Sequence, residues 1–125
     1  MRPKLTALLA PALAALLAAC ASAPVGPVPI NTSAPRAVCE AARVGGILVF
    51  DTTYGLGFKS GDSVHVAVWP NGYSARRGQD GVVVLIDPAG RVLAREGDRI
   101  VAAGANGDTA VYVECDLVVN PSPSE

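Results

Sequence analysis

The chain has 125 residues and a nearly balanced charge, with 10 Lys and Arg against 11 Asp and Glu and a formal net charge of −1. This length allows one small domain, because a core of this size does not divide into two. Nucleic-acid-binding proteins normally carry a basic stripe, so the charge balance predicts no nucleic-acid partner. The single histidine offers little material for acid–base or metal chemistry.

Residues 1–19 have the pattern of a secretory signal peptide. Arg2 and Lys4 form a positively charged start, and an apolar stretch rich in Leu and Ala follows as far as Ala19. The stretch is shorter than the roughly 20 residues that cross a bilayer, so the sequence predicts no permanent transmembrane helix. Removing Arg2 and Lys4 leaves 8 Lys and Arg against 11 Asp and Glu, so the mature chain is predicted to be mildly acidic.

The end of this leader, Leu17-Ala18-Ala19-Cys20, resembles the lipobox of bacterial lipoproteins. The resemblance implies cleavage before Cys20, attachment of a diacylglyceryl group to its sulfur, and usually acylation of the new amino terminus. Two or more acyl chains suffice for stable anchoring, so a membrane is the implied partner. The implied location is the bacterial cell envelope, at the outer membrane facing the periplasm if the cell is Gram-negative. The covalent lipid is the only cofactor expected; an ordinary signal peptide with an incidental Cys20 is the alternative.

The two ends of the mature chain lack the periodicity of packed elements. Residues 20–37 are predicted to be the lipidated cysteine and an extended, poorly ordered linker, because prolines recur there among small and polar residues. At about 3.1 Å per residue such a linker reaches roughly 50 Å. Residues 120–125 have the same character and are predicted to be a disordered tail. The folded domain is therefore expected over residues 38–119.

The pattern between these ends is that of short β-strands. Apolar runs at 47–50 and 82–86 are bounded by turn residues, Asp87-Pro88-Ala89-Gly90 fits a type I turn, and Asn106-Gly107 indicates a hairpin. Alternation over 63–69 places Val64, Val66 and Val68 on one face, opposite His65, Ala67 and Trp69. Five or six such strands predict an all-β fold, either a small antiparallel OB-like barrel, which is preferred, or a sandwich. Trp69-Pro70-Asn71-Gly72-Tyr73 and the later Gly90-Arg91-Val92 resemble segments of small bacterial β-domains, which implies the same kind of fold.

Two cysteines remain once Cys20 is acylated, and they stand near the two ends of the predicted domain. Export permits oxidation, so the sequence predicts a Cys39–Cys115 disulfide. Closing a loop of this length stabilises the folded state by about 4.5 kcal/mol through chain entropy. A reduced or metal-binding pair is the alternative; no histidine or acidic cluster adjoins either cysteine, so no metal site is predicted.

The candidate ligand-binding residues are Trp69, Tyr73, Arg76 and Arg77. If Trp69 continues the alternation it lies on the outer face, and the turn after it brings Tyr73 nearby. Exposed aromatic rings beside arginines stack on sugars or peptides and hold anionic groups, so an envelope glycan or another envelope protein is the expected partner. The competing interpretation places Trp69 in the core with Tyr73 packed beside it.

No catalytic residues are predicted, and the chain is not expected to be an enzyme. His65 has no evident partner, and the aspartates stand at turns, where they form local hydrogen bonds. Residues 55–61, which include Lys59, have too few features of a phosphate-binding loop and are predicted to connect two strands flexibly. The expected function is a lipid-anchored binding or structural module of the envelope. A lysozyme-inhibitor-like lipoprotein, whose protruding loop would be residues 55–61, is the alternative.

Overall fold

The computed structural model describes residues 23–36 and 38–121, so the predicted leader, Cys20 and the last four residues of the tail lie outside the described residues. Within these two ranges the chain forms strands and no helix. The eleven strands are β1 (Gly26–Val28), β2 (Asn31–Thr32), β3 (Ala42–Asp51), β4 (Gly55–Ser60), β5 (Ser63–His65), β6 (Ala67–Trp69), β7 (Ser74–Arg77), β8 (Val83–Ile86), β9 (Val92–Arg95), β10 (Arg99–Asn106) and β11 (Val111–Val119).

The strands form two sheets. One has four strands in the order β1-β7-β8-β9, and the other has seven in the order β2-β6-β11-β10-β3-β4-β5. Neighbours are antiparallel except that β6 runs parallel to both β11 and β2. No pairing between the described strands joins the two ends of either sheet, so neither closes into a barrel. The all-β prediction is confirmed and the arrangement is sandwich-like, whereas the OB-like barrel of five or six strands is not confirmed.

One hydrophobic core is shared by the two sheets. The seven-stranded sheet contributes its largest fully buried side chains, Trp69 and Phe58, and the four-stranded sheet contributes Val83 and Leu85. Burial of these faces against each other drives the association, because each sheet alone would leave its apolar face in water. The turns predicted from the sequence connect the strands as expected: the Gly90 N–H donates to the Asp87 carbonyl at 2.9 Å between β8 and β9.

Within residues 63–69, Ala67 and Trp69 face opposite to the predicted outer face, whereas His65 is exposed as predicted. Ala67 and Trp69 are fully buried, whereas Val64 is 47% exposed. The stretch is not one strand, because β5 pairs with β4 while β6 pairs with β11 and β2. Alternation fixes which residues share a face but not which face is buried, and a Trp ring removes more apolar area from water than a Val side chain.

Part of the predicted linker belongs to the sandwich. β1 pairs with β7 at the edge of the four-stranded sheet, and β2 pairs with β6 at the edge of the seven-stranded sheet. Pro27 is compatible with β1 because an edge strand does not need every backbone N–H. At the other end of the domain, Asn120 is also tied down, since its side-chain oxygen accepts the Arg99 N–H at 2.9 Å.

The disulfide between Cys39 and Cys115 is confirmed. Their Cα atoms are 6.1 Å apart across 76 positions of sequence. The bond joins the segment before β3 to β11, in the middle of the seven-stranded sheet. It therefore closes most of the domain into one covalent loop, which reduces the entropy of the unfolded chain.

Candidate functional site

Trp69 lies in the core instead of on the outer face beside His65. Its side chain has no exposed surface, and its ring packs on Phe58 with the centroids 5.3 Å apart. The indole N–H donates to the Leu56 carbonyl at 2.9 Å. A buried Trp with a satisfied N–H presents nothing to a ligand in this conformation, so the competing core interpretation describes its position.

Tyr73 is half-buried against the core and stands near the β8–β9 turn. Burial raises the pKa of the Tyr73 hydroxyl, and the Asp87 carboxylate raises it further, while Arg91 acts in the opposite direction. Asp87 itself organises the turn: its Oδ1 accepts the N–H groups of Ala89 at 3.0 Å and Arg91 at 2.9 Å. The Arg91 backbone N–H is the main cause of the lowered pKa of Asp87, and the Arg91 side chain, 2.9 Å from Oδ2, adds to it. This cluster has a structural role.

Arg76 and Arg77 lie on β7, between β1 and β8. Arg76 is paired in register with Pro27, and Arg77 with Gly26. The Arg77 guanidinium lies over the Phe50 ring, 5.2 Å from its centroid, a distance that allows a cation–π interaction. Neither arginine forms an ion pair with any residue in the described part of the chain.

A groove of about 320 Å³ adjoins Arg77. Its lining is mostly apolar and combines the proline-rich start of the described chain with the end of β3; the lining residues include Pro24, Val25, Pro27, Pro29, Phe50 and Thr52. We call Val25, Pro27, Phe50, Arg76 and Arg77 the β1-edge surface. Val25 is 52% exposed, so accessible apolar groups lie along this edge. Successive side chains on a strand point to opposite faces, so Arg77 lies on the inner face of β7 against Phe50, and Arg76 lies on the outer face beside Pro27. The two cations therefore flank the β1 edge from opposite faces of the sheet. Such a combination suits a partner that has both anionic and apolar groups.

A second cleft, of about 390 Å³, lies beside the disulfide. Glu114 is at its base with only 4% of its side chain exposed, and it accepts hydrogen bonds from Arg36 Nη1 at 2.5 Å and from the Glu40 N–H at 2.7 Å. Asn71 and Ser33 contribute further polar groups to the lining. We call this the disulfide-side cleft. Its half-exposed guanidinium and amide can donate hydrogen bonds to a polar ligand.

No local sequence pattern predicts the disulfide-side cleft. Arg36 and Glu114 are 78 positions apart, and no local pattern links them. The only signal in the sequence is the neighbouring cysteine pair: once Cys39 is bonded to Cys115, residues close to each cysteine must also be close together. That signal gives proximity but does not indicate an ion pair or a cleft.

The segment that suggested an inhibitory loop is a strand. β4 covers Gly55–Ser60 and lies between β3 and β5, with Leu56 and Phe58 in the core. A Cβ atom at Gly57 would come within 2.3 Å of the His65 carbonyl oxygen, so glycine permits close contact between neighbouring strands there. Lys59 is exposed near the end of β4 and does not lie at the tip of a protruding loop.

Two further properties hold for residues 23–36 and 38–121. They contain no cluster of three or more His, Cys, Asp or Glu side chains with metal-binding geometry, and no helix long and apolar enough to cross a membrane. Comparisons with protein families, with curated proteins and with solved structures found no match.

Proposed function

We propose that the chain is an exported lipoprotein of the bacterial cell envelope, anchored by a diacylglyceryl group on Cys20, and that its domain is a non-catalytic binding or structural module. The observation that carries this proposal is the Cys39–Cys115 disulfide. Disulfides persist in exported compartments and are rare in the cytosol, so the bond agrees with a leader that directs export.

The pairing of the cysteines also supports acylation at Cys20. The chain has three cysteines, and the disulfide uses two of them. The third is the one that completes Leu17-Ala18-Ala19-Cys20, where the lipobox resemblance requires it. Each cysteine thus has a separate assigned role, one in anchoring and two in folding.

The disulfide-side cleft is the proposed site for an envelope glycan or protein. Arg36 is half-exposed and keeps donor groups beyond the one that binds Glu114, and Asn71 is an exposed residue of the same lining. Donors held in place by an ion pair and a disulfide lose little freedom on binding, which favours recognition. The lysozyme-inhibitor alternative has less support, because residues 55–60 form β4.

Intact mass spectrometry of the protein from its native membrane tests the anchor. We expect a chain that begins at Cys20, carries acyl mass, and gains two protons on reduction of the disulfide. A Cys20→Ser variant is the control and should lack acyl mass while keeping the disulfide. A wild-type chain that is uncleaved, or cleaved without lipid, would refute the anchoring proposal.

Site-specific photocrosslinking in cells tests the binding site. A photoreactive residue at Asn71 should capture an envelope component that the same residue at Asp62, exposed in the β4–β5 turn, does not capture. Arg36→Ala should reduce capture from Asn71. Equal capture from both positions, or capture unaffected by Arg36→Ala, would show that the disulfide-side cleft does not select the partner.

A further inference from the structure

The folded domain begins close to Cys20 in sequence. β1 starts at Gly26, six positions after Cys20. A fully extended chain spans at most about 3.6 Å per residue, so Gly26 lies within about 20 Å of the anchored cysteine if Cys20 is acylated. The roughly 50 Å of reach predicted for a flexible linker over residues 20–37 is therefore not available.

Pairing in the four-stranded sheet places the two arginines beside this attachment point. Gly26 is in register with Arg77, and Pro27 with Arg76. Neighbouring strands lie about 4.8 Å apart, so the β7 backbone at these positions is one strand spacing from the start of β1. If Cys20 is acylated, the membrane that holds it must therefore be near the β1-edge surface.

The charges of Arg76 and Arg77 remain available to an external anion. Three acidic groups on neighbouring elements have other partners. The Glu96 carboxylate accepts the N–H groups of Phe50 at 3.1 Å and Val83 at 2.8 Å, and Asp80 pairs with Arg95 at 3.2 Å. Asp51, at the end of β3, accepts the N–H groups of Thr53 at 2.7 Å and Tyr54 at 3.1 Å. Glu96 lies beside the residues that Arg77 contacts, but it is not within ion-pair distance of Arg77. Arg76 is exposed and has no anionic partner among the described residues.

We propose that the β1-edge surface docks on the anionic lipid headgroups of the membrane that holds Cys20. This inference rests on the proposed acylation of Cys20. Arg76 and Arg77 bind headgroup phosphates, to which the guanidinium fork is well matched, and Val25 and Pro27 lie at the level of the headgroups. The anchor and the arginines together hold the domain against the membrane in one orientation, with the β1 edge facing the lipid.

Vesicle flotation tests the docking without the anchor. The mature chain with Cys20→Ser is mixed with vesicles of phosphatidylglycerol and phosphatidylethanolamine at one to three, or of phosphatidylcholine alone. A basic residue near an anionic surface changes binding about fivefold, so R76Q/R77Q should lower the partition coefficient on anionic vesicles about thirtyfold. Binding to phosphatidylcholine should be weak for both proteins, and binding to anionic vesicles should fall as salt rises.

The matched control is R43Q/R99Q. Arg43 and Arg99 lie on β3 and β10 of the other sheet, are exposed, and form no ion pair with the residues that the structure describes. The control removes the same total charge and should leave vesicle binding nearly unchanged. An equal loss in both double variants, or no loss in R76Q/R77Q with its thermal unfolding unchanged, would overturn the docking proposal.

Neutron reflectometry on the acylated protein separates this inference from the anchoring proposal. On supported bilayers of the same anionic composition, the wild-type domain should contact the headgroup layer, and R76Q/R77Q should move outward by up to about 20 Å. If acylated wild type and acylated R76Q/R77Q lie at the same distance from the headgroup layer, docking is refuted and the anchoring proposal is unaffected. A chain without acyl mass would refute the anchor, and the flotation result would still report on lipid contact.

Discussion

Trp69 and Arg77 are eight positions apart and were expected to form one site, yet they lie in opposite environments. Trp69 has no exposed surface, and the one polar atom of its side chain, Nε1, donates to the Leu56 carbonyl. Arg77 lies over Phe50 at the surface and has no ion-pair partner in the described part of the chain. The difference separates residues that stabilise the sandwich from residues that are free to bind a partner.

The chain crosses from one sheet to the other between these residues. Trp69 ends β6 in the seven-stranded sheet, whereas Arg77 ends β7 in the four-stranded sheet. The connection includes a turn in which the Tyr73 N–H donates to the Pro70 carbonyl at 3.2 Å, and Gly72 adopts a φ of 89°. Residues that are close in sequence are thus divided between two sheets, and their functions can be tested separately.

Replacement of Trp69 should have the largest effect. Trp69→Ala should lower the free energy of unfolding by about 3–5 kcal/mol, because it leaves a cavity beside Phe58 in the shared core. Trp69→Phe should cost less but leave the Leu56 carbonyl without its donor. Urea denaturation followed by circular dichroism measures both. A loss below about 1 kcal/mol for Trp69→Ala would place the ring outside the core and contradict the contrast between a structural Trp69 and a surface Arg77.

Loss of the disulfide should be the next largest effect. The Cys39→Ser, Cys115→Ser double variant should lose about 2–5 kcal/mol of stability, since the unfolded chain regains the entropy that the cross-link removed. Wild-type protein unfolded in the presence of a reductant should show a similar loss. The β1-edge surface does not include either cysteine, so vesicle binding of folded protein should persist. Identical denaturation midpoints for oxidised and reduced wild type would contradict this prediction.

The features predicted correctly depend on local signals or on composition. The Asp87-Pro88-Ala89-Gly90 turn follows from its own residues. The Cys39–Cys115 disulfide was predicted from the three cysteines of the chain by assigning Cys20 to the predicted lipid anchor. Alternation alone could not predict the burial of Trp69. The face of β6 that turns toward the core depends on which strands β6 pairs with. The strands β1 and β2 were not predicted, because their proline-rich sequence has no strand pattern. Their extended conformation is fixed by pairing with β7 and β6, which lie far along the chain.

Acid should destabilise the β8–β9 turn through Asp87. The pKa of Asp87 is lowered in the folded state, so its stabilising contribution is present above the unfolded pKa of about 3.9 and is lost as the pH falls through the folded pKa. Denaturation of wild type and Asp87→Asn across this range measures the effect. Asp87→Asn should be less stable at neutral pH, and the difference should shrink with acidification; a constant difference would contradict the assignment.

Arg77 should show the smallest effect on stability, and its two contacts can be separated by two substitutions. Arg77→Gln removes the cation from the Phe50 ring, an interaction of about 0.5–1 kcal/mol at an exposed site. Arg77→Lys keeps the charge, so it should retain most of the anionic vesicle binding that Arg77→Gln loses, whereas Trp69→Phe should reduce stability and leave vesicle binding intact. If Arg77→Gln were as destabilising as Trp69→Ala, Arg77 would act mainly in packing. Loss of vesicle binding without loss of stability would instead place its role at the membrane surface, because a side chain that served only the fold could not produce that combination.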